Sequence, residues 1–184
     1  MRKGLGLLFA LSMLVPVGVI GAGSVGAATN TKLPTCKSLG GTQTYTPGLP
    51  KRGVATLVKP VTKTDIKITG CTGGGITSGV STSSSKATKG TNCDALFAAA
   101  GKPATPSAGT IKWSNGQTST TSNVLTVTGL TPTGVTAKLV SKYTAGLGKG
   151  KTSTVLVNAV LNKGWCATAA LTKSTFKSTK ITTT

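Results

Sequence analysis

The chain is 184 residues long and carries 21 Lys or Arg against 2 Asp or Glu, with no histidine, for a formal net charge of +19. That inventory leaves carboxylate or imidazole acid–base chemistry only Asp65 and Asp94 to draw on, and a calcium site built from several carboxylates meets the same objection. Self-repulsion on this scale opposes folding, so the near-absence of acids points to an anionic partner or environment.

The N-terminus has the three-part layout of a secretory signal. Arg2 and Lys3 precede an apolar run from Leu5 to Ile20, followed by a small-residue segment, Gly21 to Ala28. Val25 and Ala27 suit cleavage after Ala27, and a cut after Ala28 is nearly equivalent. The run is interrupted by Gly6, Pro16 and Gly18 and falls short of the roughly 20 residues a bilayer-spanning helix needs, which disfavours a retained anchor. Cys36 lies too far beyond the run to be a lipidated cysteine. The expected organisation is a signal peptide at 1–27 and one exported domain at 28–184, extracellular or associated with the cell envelope, with no integral membrane segment after cleavage.

Cys36, Cys71, Cys93 and Cys166 are the four thiols of the chain. In an oxidising compartment an even count predicts two disulfides, while the long spacings and the lack of histidine argue against a zinc site. Three pairings are open. The bridges matter because the exported part has few aromatics, and a core of Val, Ile, Leu and Ala buries modest area at about 25 cal/mol per Å².

Along the exported part, short β-branched runs alternate with Gly, Pro and Asn, which predicts strands and turns. Tyr45-Thr46-Pro47-Gly48 is expected to close a first short strand, and Val54, Leu57 and Val58 mark another of less regular pattern. Ile66 and Ile68 alternate with Asp65 and Lys67. Thr82–Thr91, rich in Ser, Thr and Lys, reads as a loop, as does Gly101–Gly109 with Pro103 and Pro106. A short helix is expected at Asn92–Ala100, capped by Asn92, with Asp94 in its first turn, Leu96 and Phe97 packed inward and Gly101 at its end. Ile111 and Trp113 flank Lys112, and Asn115-Gly116 then predicts a tight hairpin into the run Thr118–Val127. Val135, Ala137 and Leu139 form one further alternating run, and Val155, Val157, Ala159 and Leu161 form another. Asn162-Lys163-Gly164 is expected to turn the chain before Trp165, and the tail Ser178–Thr184 to fray. Eight to ten strands with at most one short helix predict a single antiparallel β-sandwich, immunoglobulin-like or related.

Three local patterns imitate known chemistry. Ala145–Thr152 matches a loosened phosphate-binding loop through Gly150, Lys151 and Thr152, but such a loop opens a helix, and Ser153–Leu161 alternates as a strand. Ser174-Thr-Phe-Lys177 and Ser83–Lys86 have Ser-x-x-Lys spacing, yet on an extended chain residues three apart point to opposite faces. Trp113 and Trp165 sit inside alternating apolar patterns and are expected in the core, so the stacking platforms of single-strand nucleic-acid binders are missing and no specific nucleic-acid partner is expected.

The segment Thr110-Ile-Lys-Trp-Ser-Asn-Gly-Gln-Thr-Ser119, in a chain with four cysteines, resembles small exported proteins of high-GC Gram-positive bacteria. The resemblance implies secretion and a sandwich and carries no active site.

Lys67, Lys112 and Lys138 occupy the wet positions of alternating strands and are the candidate basic surface. Lysine, a point charge on a flexible stem, suits diffuse attraction better than shaped bidentate recognition. The expected role is a non-enzymatic exported module without catalytic residues, cofactor or metal, associating with an anionic envelope polymer or anionic lipid surface. The alternative is a membrane-active protein whose amphipathic strands assemble into a pore.

Overall fold

The computed structural model describes residues 32–131, 134–162 and 166–184. The expected signal peptide, Trp165 and the turn residues Lys163 and Gly164 lie outside the described residues.

Alternation of buried and exposed positions builds eight strands: β1 Thr35–Leu49, β2 Val61–Thr72, β3 Ser78–Lys86, β4 Ser107–Trp113, β5 Thr118–Thr131, β6 Gly134–Gly146, β7 Thr152–Asn162 and β8 Leu171–Thr183. Each pairs antiparallel with the next, and β8 returns to pair with β1, so the sheet closes into a barrel in chain order. The expected sandwich is therefore corrected to a closed up-and-down barrel. A period of two has the same look in both folds; what separates them is whether the first and last strands meet, and no local pattern encodes that.

An eight-stranded barrel is just wide enough for its own side chains to fill it. At one end Leu39, Ile68, Ile76, Trp113, Tyr143, Leu147, Val155 and Val157 pack together, and the bridge Cys36–Cys71 pins β1 to β2 beside them. At the other, Leu49, Leu161 and Leu171 pack with the fully buried Cys93–Cys166 bridge, and Tyr45, Val58, Leu96, Phe97 and Val135 lie against them. In the chain-entropy picture each bridge, closing loops of 35 and 73 residues, contributes about 4 kcal/mol by restricting the unfolded chain.

The short helix α1, Cys93–Ala98, covers this second end. Its cap is the expected one: the Asn92 side chain accepts from the Ala95 amide at 3.0 Å, and Asp94 lies in the first turn. The β4–β5 hairpin also forms at the expected place, with Gly116 at φ +84° and the Trp113 amide donating to the Gln117 carbonyl at 2.9 Å.

Five local expectations change, the smallest at Gly101–Gly109, whose last residues Ser107–Gly109 open β4. Thr82–Lys86 belongs to β3, because Ser81, Ser83 and Ser85 pair with Ile66, Thr64 and Thr62 across the inner face; a strand that puts serines inside carries no hydrophobic period. Tyr45–Gly48 continues β1 instead of ending it, and the register against β8 shifts between Thr44 and Leu49 where Pro47 lacks a donor. Val54–Val58 is no strand: Val58 makes one isolated bridge to Thr91. The C-terminal tail is held, since β8 runs to Thr183 and Thr184 exchanges backbone hydrogen bonds with Thr152 at 2.9 and 3.0 Å.

Candidate anionic-ligand surface

The interior is chemically occupied. Tyr45 donates its hydroxyl to Gln43 Oε1 at 2.7 Å, and Gln43 Nε2 donates to Thr64 Oγ1 at 3.3 Å. Burial pushes the Tyr45 phenol up to about 12, with a hydrogen bond to Ser174 acting the other way. Burial raises Tyr143 as well, again partly offset by a hydrogen bond, here to Ser153. Desolvation disfavours the phenolate in both cases.

Trp113 is 5% exposed and packs in the barrel. Its ring lies 2.8 Å from where a Cβ on Gly79 would stand. It offers no stacking platform.

The segment that imitates a phosphate loop is the β6–β7 turn, folded inward as a plug. Leu147 is buried in the core, and Leu33 lies directly over the bare backbone of Gly148. The amides of Leu147, Lys149, Gly150 and Lys151 donate to the carbonyls of Thr118, Gly146, Tyr143 and Gly148 at 2.9–3.2 Å. A phosphate cradle needs amides aimed outward, and these four are already engaged. In β8, Ser174 is buried while Lys177 is exposed, and in β3 Ser83 is half-buried while Lys86 is exposed. Neither lysine shares a face with its serine.

The two acids are on the surface. Asp94 accepts from Arg52 Nε at 3.3 Å and from the Gly53 amide at 2.8 Å, and Arg52 stacks 4.7 Å from the centroid of Phe97. Such an exposed pair contributes at most about 1 kcal/mol. Asp65 accepts from the Thr82 hydroxyl at 3.0 Å.

Every lysine among the described residues is exposed. Lys67, Lys112 and Lys138 all point outward, but they belong to β2, β4 and β6. Lys67 and Lys112 flank Val80 in one cross-strand row, but on a closed eight-stranded wall Lys138 on β6 lies about half a turn from Lys67, so the three do not share one face. Over β1, two charged rows stack. Lys67 and Lys177 both flank Gly40, and Lys63 and Lys173 both flank Thr44, so four ammonium groups border the outer side of β1. Lys63 and Lys67 are four residues apart on β2, and Lys173 and Lys177 are four apart on β8, a same-face spacing visible in the sequence. Their meeting over β1 depends on barrel closure and leaves no trace in the sequence.

No family model, no curated protein and no solved structure matches this chain.

Proposed function

We propose that this chain is an exported, non-enzymatic basic barrel that adheres to an anionic polymer of the cell envelope or extracellular space. The observation that carries the reading is the one-sided charge on the folded surface: the described lysines all face solvent, against two acids, one of which forms an ion pair with Arg52. Two disulfides are compatible with an oxidising location outside the cell. A Ser–Lys hydrolase requires a buried lysine beside a serine, and among the described residues no lysine is buried.

Adsorption is preferred over insertion for a physical reason. Among the described residues no helix is long and apolar enough to cross a membrane. If the strands themselves crossed, Lys67, Lys138 and Lys177, near the middle of their strands, would face lipid at about 2–4 kcal/mol each near the bilayer midplane. Leu57 lies outside the strands, and the exposed apolar side chains on them, Val61, Val80, Leu156 and Val160, do not form a band: Val61 is cross-strand to Lys86, Val80 to Lys67 and Lys112, and Leu156 to Lys138 and Lys180.

Fractionation of the producing cell tests the reading. Retention on the envelope at low salt and release at high salt are expected. Free protein in the medium at low salt, or dye release from anionic vesicles together with a stable oligomer, would replace it with the free or pore-forming alternative.

A further inference from the structure

The four lysines around β1 define a more specific surface than net charge alone. We infer that the outer face of β1, walled by Lys63 and Lys67 of β2 and by Lys173 and Lys177 of β8, is a binding groove for a linear glycopolymer whose anionic groups are separated by neutral hydroxylated units. This deepens the reading above and rests on it.

The cross-strand register supplies the geometry. One row runs Lys177–Gly40–Lys67, the next Thr175–Thr42–Asp65, and the third Lys173–Thr44–Lys63. The two walls stand two strand spacings apart, about 10 Å, and the two charged rows four residues apart, about 13 Å. Between the walls the floor is low. Gly40 leaves bare backbone, a Cβ there meeting only the Phe176 carbonyl at 3.3 Å and the Lys177 stem at 3.7 Å, and Thr42 and Thr44 are short. Long lysine stems on both sides of a small-residue floor form a trough running along β1.

The middle row decides the ligand class. Asp65 lies between the two charged rows on the β2 wall, where it accepts from Thr82. A continuous file of phosphates, as on a nucleic acid with one charge every few ångströms, would bring a negative group against this carboxylate. A polymer with anions only at intervals puts a sugar or polyol there instead, whose hydroxyls donate to Asp65 and exchange hydrogen bonds with Thr42. The positive–neutral–positive sequence of rows therefore matches spaced anions, with each pair of ammonium groups straddling one of them.

The test uses the full exported chain in dilute buffer, with end-labelled hyaluronan as the spaced carboxylate polymer, a poly(disaccharide phosphate) as the spaced phosphate polymer, and heparin as the dense one. Three variants are compared with the parent: Lys63, Lys67, Lys173 and Lys177 all changed to Gln; Lys112, Lys138, Lys142 and Lys149 all changed to Gln, an equal loss of charge away from β1; and Thr42→Trp, which fills the trough without altering charge. Thr44→Trp replaces Thr42→Trp if near-ultraviolet circular dichroism shows the latter misfolded. A tenfold or greater loss of affinity for either spaced polymer in the first and third variants, with under threefold loss in the second, is the expected pattern. Equal losses in the two quadruple variants with Thr42→Trp unaffected would overturn the groove while leaving general adhesion standing. Binding of heparin but of neither spaced polymer would overturn the ligand class, and a parent protein that binds none of the three would remove both this inference and the reading beneath it.

Discussion

The indole Nε1 of Trp113 donates to the fully buried hydroxyl of Ser119 at 2.8 Å, and Ser119 in turn donates to the Leu147 carbonyl at 2.7 Å. One small side chain thus ties the largest core residue at this end of the barrel to the loop that plugs it. Ser119→Ala removes no appreciable volume but leaves a buried donor and a buried acceptor without their partner. Each such group costs about 1–3 kcal/mol, so urea unfolding is expected to show a loss of at least about 2 kcal/mol, with faster exchange of the Trp113 indole proton. A loss below about 0.5 kcal/mol would mean that water replaces the hydroxyl and that the plug is not sealed.

Gly41 and Gly40 should respond oppositely to the same substitution. A Cβ on Gly41 collides with the Asp65 carbonyl oxygen and stands 2.7 Å from Phe176 Cζ, whereas one on Gly40 comes no closer than 3.3 Å to any atom. Backbone cannot yield as a side-chain tip does, so Gly41→Ala is expected to destabilise by about 2 kcal/mol or more. Gly40→Ala is expected to fall within about 1 kcal/mol of the parent, since the lost chain freedom of the unfolded state offsets the tight contact. Gly41 sits on the inner face, paired with Ile66 and Phe176, and equal unfolding midpoints for the two variants would contradict that placement.

The chain has only two tyrosines, and burial raises both phenols, Tyr45 to about 12. A group whose folded pKa lies above its unfolded value of about 10 contributes stability that is fully present below pH 10 and lost as pH rises through the folded pKa. The tyrosine contribution to stability is therefore expected to fall between about pH 10 and 12, read as the difference between the parent and Tyr45→Phe, with phenolate absorbance appearing as the fold opens. Tyr45→Phe should flatten that part of the profile. A phenol that titrates near 10 in the folded protein would show that its ring is hydrated.

Because the surface charge is nearly all of one sign, added salt should stabilise the fold. Screening shortens the reach of repulsion between lysines to about 10 Å at 0.1 M and about 3 Å at 1 M. The thermal midpoint is expected to rise by about 3 °C or more between dilute buffer and 0.5 M sodium chloride, a change of roughly 1 kcal/mol for a domain of this size. A flat or falling midpoint would mean that the lysines are far enough apart to ignore one another, and the case for a charge-selected surface would weaken with it.

Much of the local structure was legible from residue order. Ile66 and Ile68, Val135 to Leu139 and Val155 to Leu161 announce strands through their own period, Asn115-Gly116 marks a hairpin, and Asn92 with Asp94 marks a helix start, because each signal depends on backbone preferences within a few residues. β3 was hidden for the converse reason. Ser81, Ser83 and Ser85 face a lumen that also holds Thr62, Thr64 and Gln43, so their inward positions are polar and hydrophobic alternation says nothing about them. Two disulfides followed from the cysteine count, but the pairing Cys36–Cys71 and Cys93–Cys166 did not.

Composition by itself determined the charge imbalance, the poverty of acid–base groups and the strand-rich character, since these are properties of the residues whatever their arrangement. Only the tertiary structure decided that β8 lies against β1. That closure turns the sheet into a barrel, sets Lys138 about half a turn from Lys67, and brings Lys173 and Lys177 to Lys63 and Lys67 from about a hundred residues away. Contacts across such a distance are set by the packing of the whole chain and by the cost of closing it, and no stretch of sequence short enough to be read as a pattern contains them.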